Sequence, residues 1–174
     1  MFETDLSLVG KHATYTKFLV NDAKIFKRYI DVFMNGAIFG FLYGRKSEKD
    51  KDSTDRANIL AGAFITEKMR CDFIYRLIML LDDSPGITNE NKIDRAFRDD
   101  SKGEKSENHI ANMNLFNSYV LGGIEVLFEK FTEDCTTKED YINKIYEVVS
   151  NFKDEIEGVE YNDRIKEVIQ VYSN

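Results

Sequence analysis

The sequence predicts an all-α fold: a single domain, residues 1–174, of five or six helices around a glycine-grooved helical hairpin. Three observations carry that expectation. The 174 residues include one proline, so forced helix stops are few. Apolar residues recur at intervals of three and four through most of the chain, as on the buried face of a helix. Asn35 to Lys46 reads NGAIFGFLYGRK, with Gly36, Gly40 and Gly44 four residues apart. On a helix these lie on one line along the surface. A glycine inside a helix costs ~0.5–1 kcal/mol relative to alanine, so a line of three implies a neighbour fitted into the groove.

Composition supports a packed domain. Hydrophobic residues make up 43% and charged residues 32%, a globular balance, and the length buries a core without disulfides or metals. Thirteen Phe and nine Tyr make that core aromatic-rich. Cys71 and Cys135 fit no metal spacing and point to a reducing compartment. Residues 1–20 lack the basic start and apolar run of a signal peptide. Tyr29–Gly44 is shorter than the roughly 20 apolar residues that span a bilayer. The expectation is a cytoplasmic protein with no membrane partner and no cofactor.

The elements follow in order. Residues 1–20 alternate His12, Thr14, Thr16 and Phe18 with Ala13, Tyr15, Lys17 and Leu19, as in a short strand. No later stretch offers an obvious partner strand, so an N-terminal arm or short helix is expected. Asn21 or Asp22 caps a helix to Arg45, with Ile25, Phe26, Tyr29, Ile30 and Phe33 on its buried side. Arg45 and Lys46 suit its C-terminal dipole. After the charged connector SEKDKDS, a helix is expected from Thr54 to Leu81. Its small residues Ala57, Ala61 and Ala63 are the expected filling of the glycine groove. Its second half, CDFIYRLIMLL, is apolar nearly all round and reads as central. Asp82-Asp83-Ser84-Pro85-Gly86 ends it with turn chemistry.

A short helix follows with Ile93, Ala96 and Phe97. A longer one runs from Ser106 to about Phe131, where Gly122-Gly123 marks a close contact or kink. Thr136 to Glu139 matches a capping box for a fifth helix, with Tyr141, Ile142, Ile145, Tyr146, Val148, Val149 and Phe152 as its buried stripe, ended by Gly158. Tyr161, Ile165, Val168, Ile169 and Tyr172 give a C-terminal helix, 161–172, placed to pack or to dock.

Catalytic signals are sparse. His12 and His109 form no i, i+4 pair for zinc and no Glu-x-x-His pair for a di-iron centre. Gly103-Glu104-Lys105-Ser106 lacks the spacing and preceding strand of a phosphate loop. Neither cysteine has a local activating partner. Asp94, Asp99 and Asp100 could hold Mg²⁺, although Asp94 and Arg98 also have ion-pair spacing.

Charge is segregated. Gly10–Lys49 carries eight Lys/Arg against three Asp/Glu, and Ile124 onward six against thirteen, within a net charge of −7. Arg76, inside FIYRLIMLL, needs a partner or a route to the surface. The reading is a non-catalytic helical adaptor or accessory subunit of a larger complex, binding other protein subunits or copies of itself. Arg76, Ile165, Ile169 and Tyr172 are its candidate contacts. One alternative is a nucleic-acid accessory protein using the basic 10–51 region, with Lys24, Lys27, Arg28, Arg45 and Lys46 on the phosphates. The other is a carboxylate-metal phosphoryl enzyme at Asp94, Asp99 and Asp100.

Overall fold

A computed structural model of the chain describes residues 2–50, 53–99 and 106–157. The expected C-terminal helix, with Ile165, Ile169 and Tyr172, lies outside the described residues, as do Asp100 and Gly158. The chain divides into two compact units, Met1–Lys130 and Phe131–Asn174. Helix dominates the described residues, with seven α-helices and a two-stranded sheet.

The sheet corrects the expected helix from Thr54. In the first unit, β1 (Leu6–Val9) pairs antiparallel with β2 (Arg56–Ile59), Leu6 opposite Ile59 and Val9 opposite Arg56. Arg56 and Asn58 face solvent, while Ala57 and Ile59 are buried, the alternation of a half-buried strand. Ala57 is therefore a strand residue. Between the strands' ends, Gly10 takes a left-handed conformation (φ 63°) and its N–H donates to the Asp55 carbonyl at 2.9 Å. The Asp50 carboxylate accepts the Lys11 N–H at 2.7 Å and occupies the space that a Cβ on Gly10 would need. Helix α1 (Lys11–Lys17) follows at once and runs into a π-helical turn, Phe18–Asp22. Residues read as alternating are thus helical.

Helix α2 (Tyr29–Leu42) starts later than Asp22. The extended Arg28 precedes it (φ −138°), and the Asp31 carboxylate accepts the Arg28 N–H at 3.0 Å. Beyond Leu42, Gly44 is left-handed (φ 61°) and Arg45 N–H closes back on the Gly40 carbonyl at 2.8 Å. Gly44 therefore stops the helix. It does not extend the glycine line, and a Cβ there would meet nothing within 4 Å. Arg45 and Lys46 lie past the helix end.

Gly36 and Gly40 meet α6 (Glu107–Thr132). A Cβ on Gly40 would overlap the Tyr119 carbonyl, and one on Gly123 the Gly36 carbonyl. The backbones of α2 and α6 thus touch through glycine on both sides. The expected filling by Ala57 and Ala61 does not occur at these positions, because α6 backbone occupies them.

Ala61 opens α3 (Ala61–Thr66), and α4 (Lys68–Leu81) follows after an irregular Glu67. Thr88 caps α5 (Asn89–Ile93), which continues as a π-helical turn, Asp94–Arg98. The core of the unit is aromatic, as composition implies. Phe33, Phe64, Tyr75 and Phe116 are all buried. Phe33 meets Phe64 edge-on at 5.2 Å between centroids, and Tyr75 meets Phe116 at 5.5 Å. Phe2, from the N-terminal arm, stacks on Phe64 at 5.7 Å.

In the second unit, α7 (Lys138–Glu157) is capped one residue later than the expected box. The Asp140 carboxylate accepts Thr137 N–H at 2.7 Å, and Asp140 N–H donates to Thr137 Oγ at 3.2 Å. Val148 is buried, but Ile142, Tyr146 and Val149 are exposed, so the stripe expected to be buried is partly in solvent.

Candidate protein-docking face

Helix α4 has two apolar sides. Cys71, Ile74, Tyr75, Ile78 and Met79 are buried against the unit. The opposite side carries Met69, Phe73 and Leu77, four residues apart, and Met69 is 87% and Phe73 65% exposed. Ile65, one step earlier on α3, is exposed too. The expectation that this stretch is central holds for one side only. What reads as a helix buried all round is a core stripe plus a second stripe in solvent. The missed signal was the separate i, i+4 series Ile65, Met69, Phe73, Leu77, superposed on the core series.

Phe97, at the π-helical turn, extends the apolar side and is also exposed. Together with α4 it frames an open groove of about 490 Å³. Arg76 lies on this groove with its guanidinium 5.4 Å from the Phe97 ring centroid, a cation–π distance. Asp72, one turn before Arg76, borders the same groove. Its Oδ1 is out of solvent and accepts no hydrogen bond.

Two buried carboxylates organise the polar interior. Glu125 on α6 accepts Ser47 Oγ at 2.6 Å, Lys11 Nζ at 2.9 Å, His12 Nε2 at 3.0 Å and Arg45 Nη2 at 3.0 Å. Burial alone would raise this carboxyl. The hydrogen bonds from Ser47, Lys11 and His12 and the Lys11 charge outweigh it and hold it at about 2. His12 is fully buried, and that burial pushes its imidazole below the ordinary range, partly offset by Glu125. With Nε2–H donating to Glu125, Nδ1 is left buried without a partner. His12 and Ser7 line a cavity of about 20 Å³, room for one water and too small for an organic substrate.

Asp82, read as a helix end, is also a hub. It accepts Tyr119 Oη at 2.5 Å, Arg95 Nη1 at 3.3 Å and Lys46 Nζ at 3.5 Å. Burial again opposes ionisation, and the bonds from Ser84 and Tyr119 with the charges of Lys46 and Arg95 bring the carboxyl to about 2. The Tyr119 hydroxyl is pushed well above its usual range by burial and by Asp82, so it stays protonated. Arg95 Nε continues the line to Asn112 Oδ1 at 3.2 Å, and Asn112 Nδ2 donates to Asp99 at 3.0 Å.

These networks absorb most of the predicted basic set. Arg28 pairs with Asp31 at 2.6 Å and Glu67 at 2.8 Å. Arg45 also grips Glu129 through both terminal nitrogens, at 2.6 and 2.8 Å. Lys46 bonds Asp82 and lies over the Tyr119 ring at 4.7 Å. Lys24 and Lys27 alone of the five share a surface concavity, which Asn21 also lines.

Of the proposed metal carboxylates, Asp94 and Asp99 lie among the described residues and have separate partners. Asp94 bonds Arg98 at 2.7 Å, whereas Asp99 is buried against the amides of Asn108 and Asn112. Among the described residues no group of three or more His, Cys, Asp or Glu is placed to hold a metal ion. Burial pushes the Cys71 thiol up to about 12 and raises that of Cys135, the opposite of an activated nucleophile. Among the described residues no helix is long and apolar enough to cross a membrane. No family model, curated protein or solved structure matches this chain.

Proposed function

We propose that this chain is a non-catalytic helical adaptor or accessory subunit that binds protein through the exposed side of α4. One observation carries the reading: Met69, Phe73 and Leu77 stand in solvent on a helix whose other side is anchored in the core. Apolar residues scattered singly on a surface are normal, whereas a contiguous row marks an interaction site. The row is rigid, because Tyr75 and Met79 on the same helix are fully buried. Arg76 supplies a polar anchor beside it, and aromatic residues with arginine are the side chains that dominate interface energies.

The side chains with chemical potential support the same reading. Glu125, Asp82 and Asp99 are each saturated by hydrogen bonds within the unit, and the thiols are not activated. The nucleic-acid alternative is weaker, since Arg28, Arg45 and Lys46 are engaged by carboxylates. It rests on Lys24 and Lys27.

A tagged pull-down from the native cell, with and without nuclease, tests the proposal. The expected result is a protein partner that survives nuclease and is lost with Phe73→Asp. Capture that ignores Phe73→Asp and vanishes with nuclease would favour the nucleic-acid reading. The segment 161–172 is proposed as a second docking element, and truncation at Gly158 that leaves capture intact would remove it.

A further inference from the structure

We propose that residues 2–5 form a strap over a binding site for an uncharged aromatic ring, and that Phe2 is the ring that fills this site from within the chain. One ring from each of four helices meets there: Phe33 of α2, Phe64 of α3, Tyr75 of α4 and Phe116 of α6, all buried. The Phe2 ring stacks on Phe64 and stands edge-on to the other three, with the four centroids 5.7–6.4 Å away. These are the separations that aromatic pairs prefer. The lining and the ring seated in it define the ligand class. The Tyr75 hydroxyl already donates to the Arg95 carbonyl at 3.4 Å, so the four rings offer an anionic group no hydrogen bond, and burying a charge without one is costly.

Apart from that ring the strap is lightly held. Glu3, Thr4 and Asp5 are exposed, and Phe2 itself is half-buried. Glu3 pairs with Lys68 at 2.8 Å, and exposed ion pairs contribute little. Asp5 Oδ1 accepts the N–H of Ala61, the first amide of α3, at 2.7 Å. Phe2 has a positive φ of 60°, which L side chains rarely adopt and which surrounding contacts must hold in place. By contrast β1, from Leu6 onward, is paired along its length with β2. Segments with few buried contacts and exposed hydrogen bonds open at a lower free energy than the whole domain. The strap therefore opens without β1. Its opening bares the four rings, and a toluene-sized ring then takes the place of Phe2. Because Asp5 bonds Ala61, the Ala61 amide reports whether the strap is seated.

Native-state hydrogen exchange of the full chain, with thermal melts in the presence of toluene, tests both parts. In the wild-type chain the Ala61 amide is expected to show a protection factor at least about tenfold below those of the β1–β2 ladder amides. Phe2→Ala should melt lower than wild type and lower Ala61 protection by about fivefold more, the scale of a lost helix cap. Toluene, which is the Phe side chain without its backbone, should restore the melting temperature of that variant. Benzoate, the same ring carrying a charge, should not. Should Phe2→Ala not fold, Asp5→Ala loosens the strap with every ring in place, and toluene should raise its melting temperature more than that of the wild type. Ala61 protection that matches the ladder in the wild-type chain overturns the strap. Toluene that stabilises neither variant, or benzoate that stabilises as well as toluene, overturns the site. The outer residues of α4 take no part in these contacts, so either result leaves the docking reading to its own test with Phe73→Asp.

Discussion

Helices α2 and α4 are each 14 residues long, rich in apolar side chains and packed in the same unit, yet they use that character in opposite ways. In α2, Ile30, Val32, Phe33 and Ala37 are buried, and Gly36 and Gly40 let the α6 backbone approach until no Cβ fits. In α4 one side does comparable work while Met69, Phe73 and Leu77 remain in solvent. Apolar content alone therefore does not say where a helix sits. Small residues without side chains can be more deeply committed to the fold than large ones.

The largest effect is expected at Gly40. Gly40→Leu must push against the Tyr119 carbonyl, which is backbone and cannot move aside. Overpacking typically costs 1–3 kcal/mol, and here a loss of about 3 kcal/mol or more is expected. Chemical denaturation of the variant checks it, and an unchanged midpoint would mean that α2 and α6 do not touch as described.

Acid is expected to act next. Glu125 and Asp82 are held at about 2, against ordinary values of 4.5 and 3.8. As pH falls through that interval the unfolded chain takes up protons that the folded chain refuses. Stability contributed by the two groups is thus complete above about pH 5 and is lost toward pH 2, on the order of 2 kcal/mol for each carboxylate. His12 adds a loss of the same sign that begins higher, because its folded value lies below the ordinary 6.5 and the unfolded imidazole protonates first. A melting temperature that is flat from pH 7 to pH 3 would contradict both networks.

The smallest effects on folding are expected on the exposed side of α4. Phe73→Asp and Met69→Lys should change stability by about 0.5 kcal/mol or less, as surface substitutions do, while abolishing association. Lys24→Glu with Lys27→Glu should leave both stability and association unchanged. Loss of the partner in that double variant, measured in the same pull-down, would move the interface to the basic concavity.

The elements legible in the sequence were those with local signals. Helix α6 begins just after Ser106, as its polar start suggests, and His109 N–H donates to Ser106 Oγ at 3.2 Å. Turn chemistry at Asp82 to Gly86 ends α4 where expected. What was not legible depends on partners distant in the chain. Strand β2 has four residues, and its reason for being a strand is β1, about fifty residues earlier. The neighbour of Gly40 is the α6 backbone at Tyr119 and Gly123 rather than an alanine of the following segment, and no local pattern distinguishes the two. The candidate site was half visible. Arg76 stood out as a charge in an apolar run, but exposure of Met69 and Phe73 follows from which side of α4 the core covers. That is a property of the packed unit. Glu125 and Asp82 gave no signal as buried hubs, because their cations come from Lys11, Arg45, Lys46 and Arg95 on other segments.

The central claim is that the exposed side of α4 serves association and not folding. The most direct test measures capture of the protein partner and melting temperature side by side for the wild-type chain and Phe73→Asp. The expected result is that the partner is lost while the melting temperature is unchanged. A variant that still captures the partner, or that loses the partner and its melting temperature together, would contradict it.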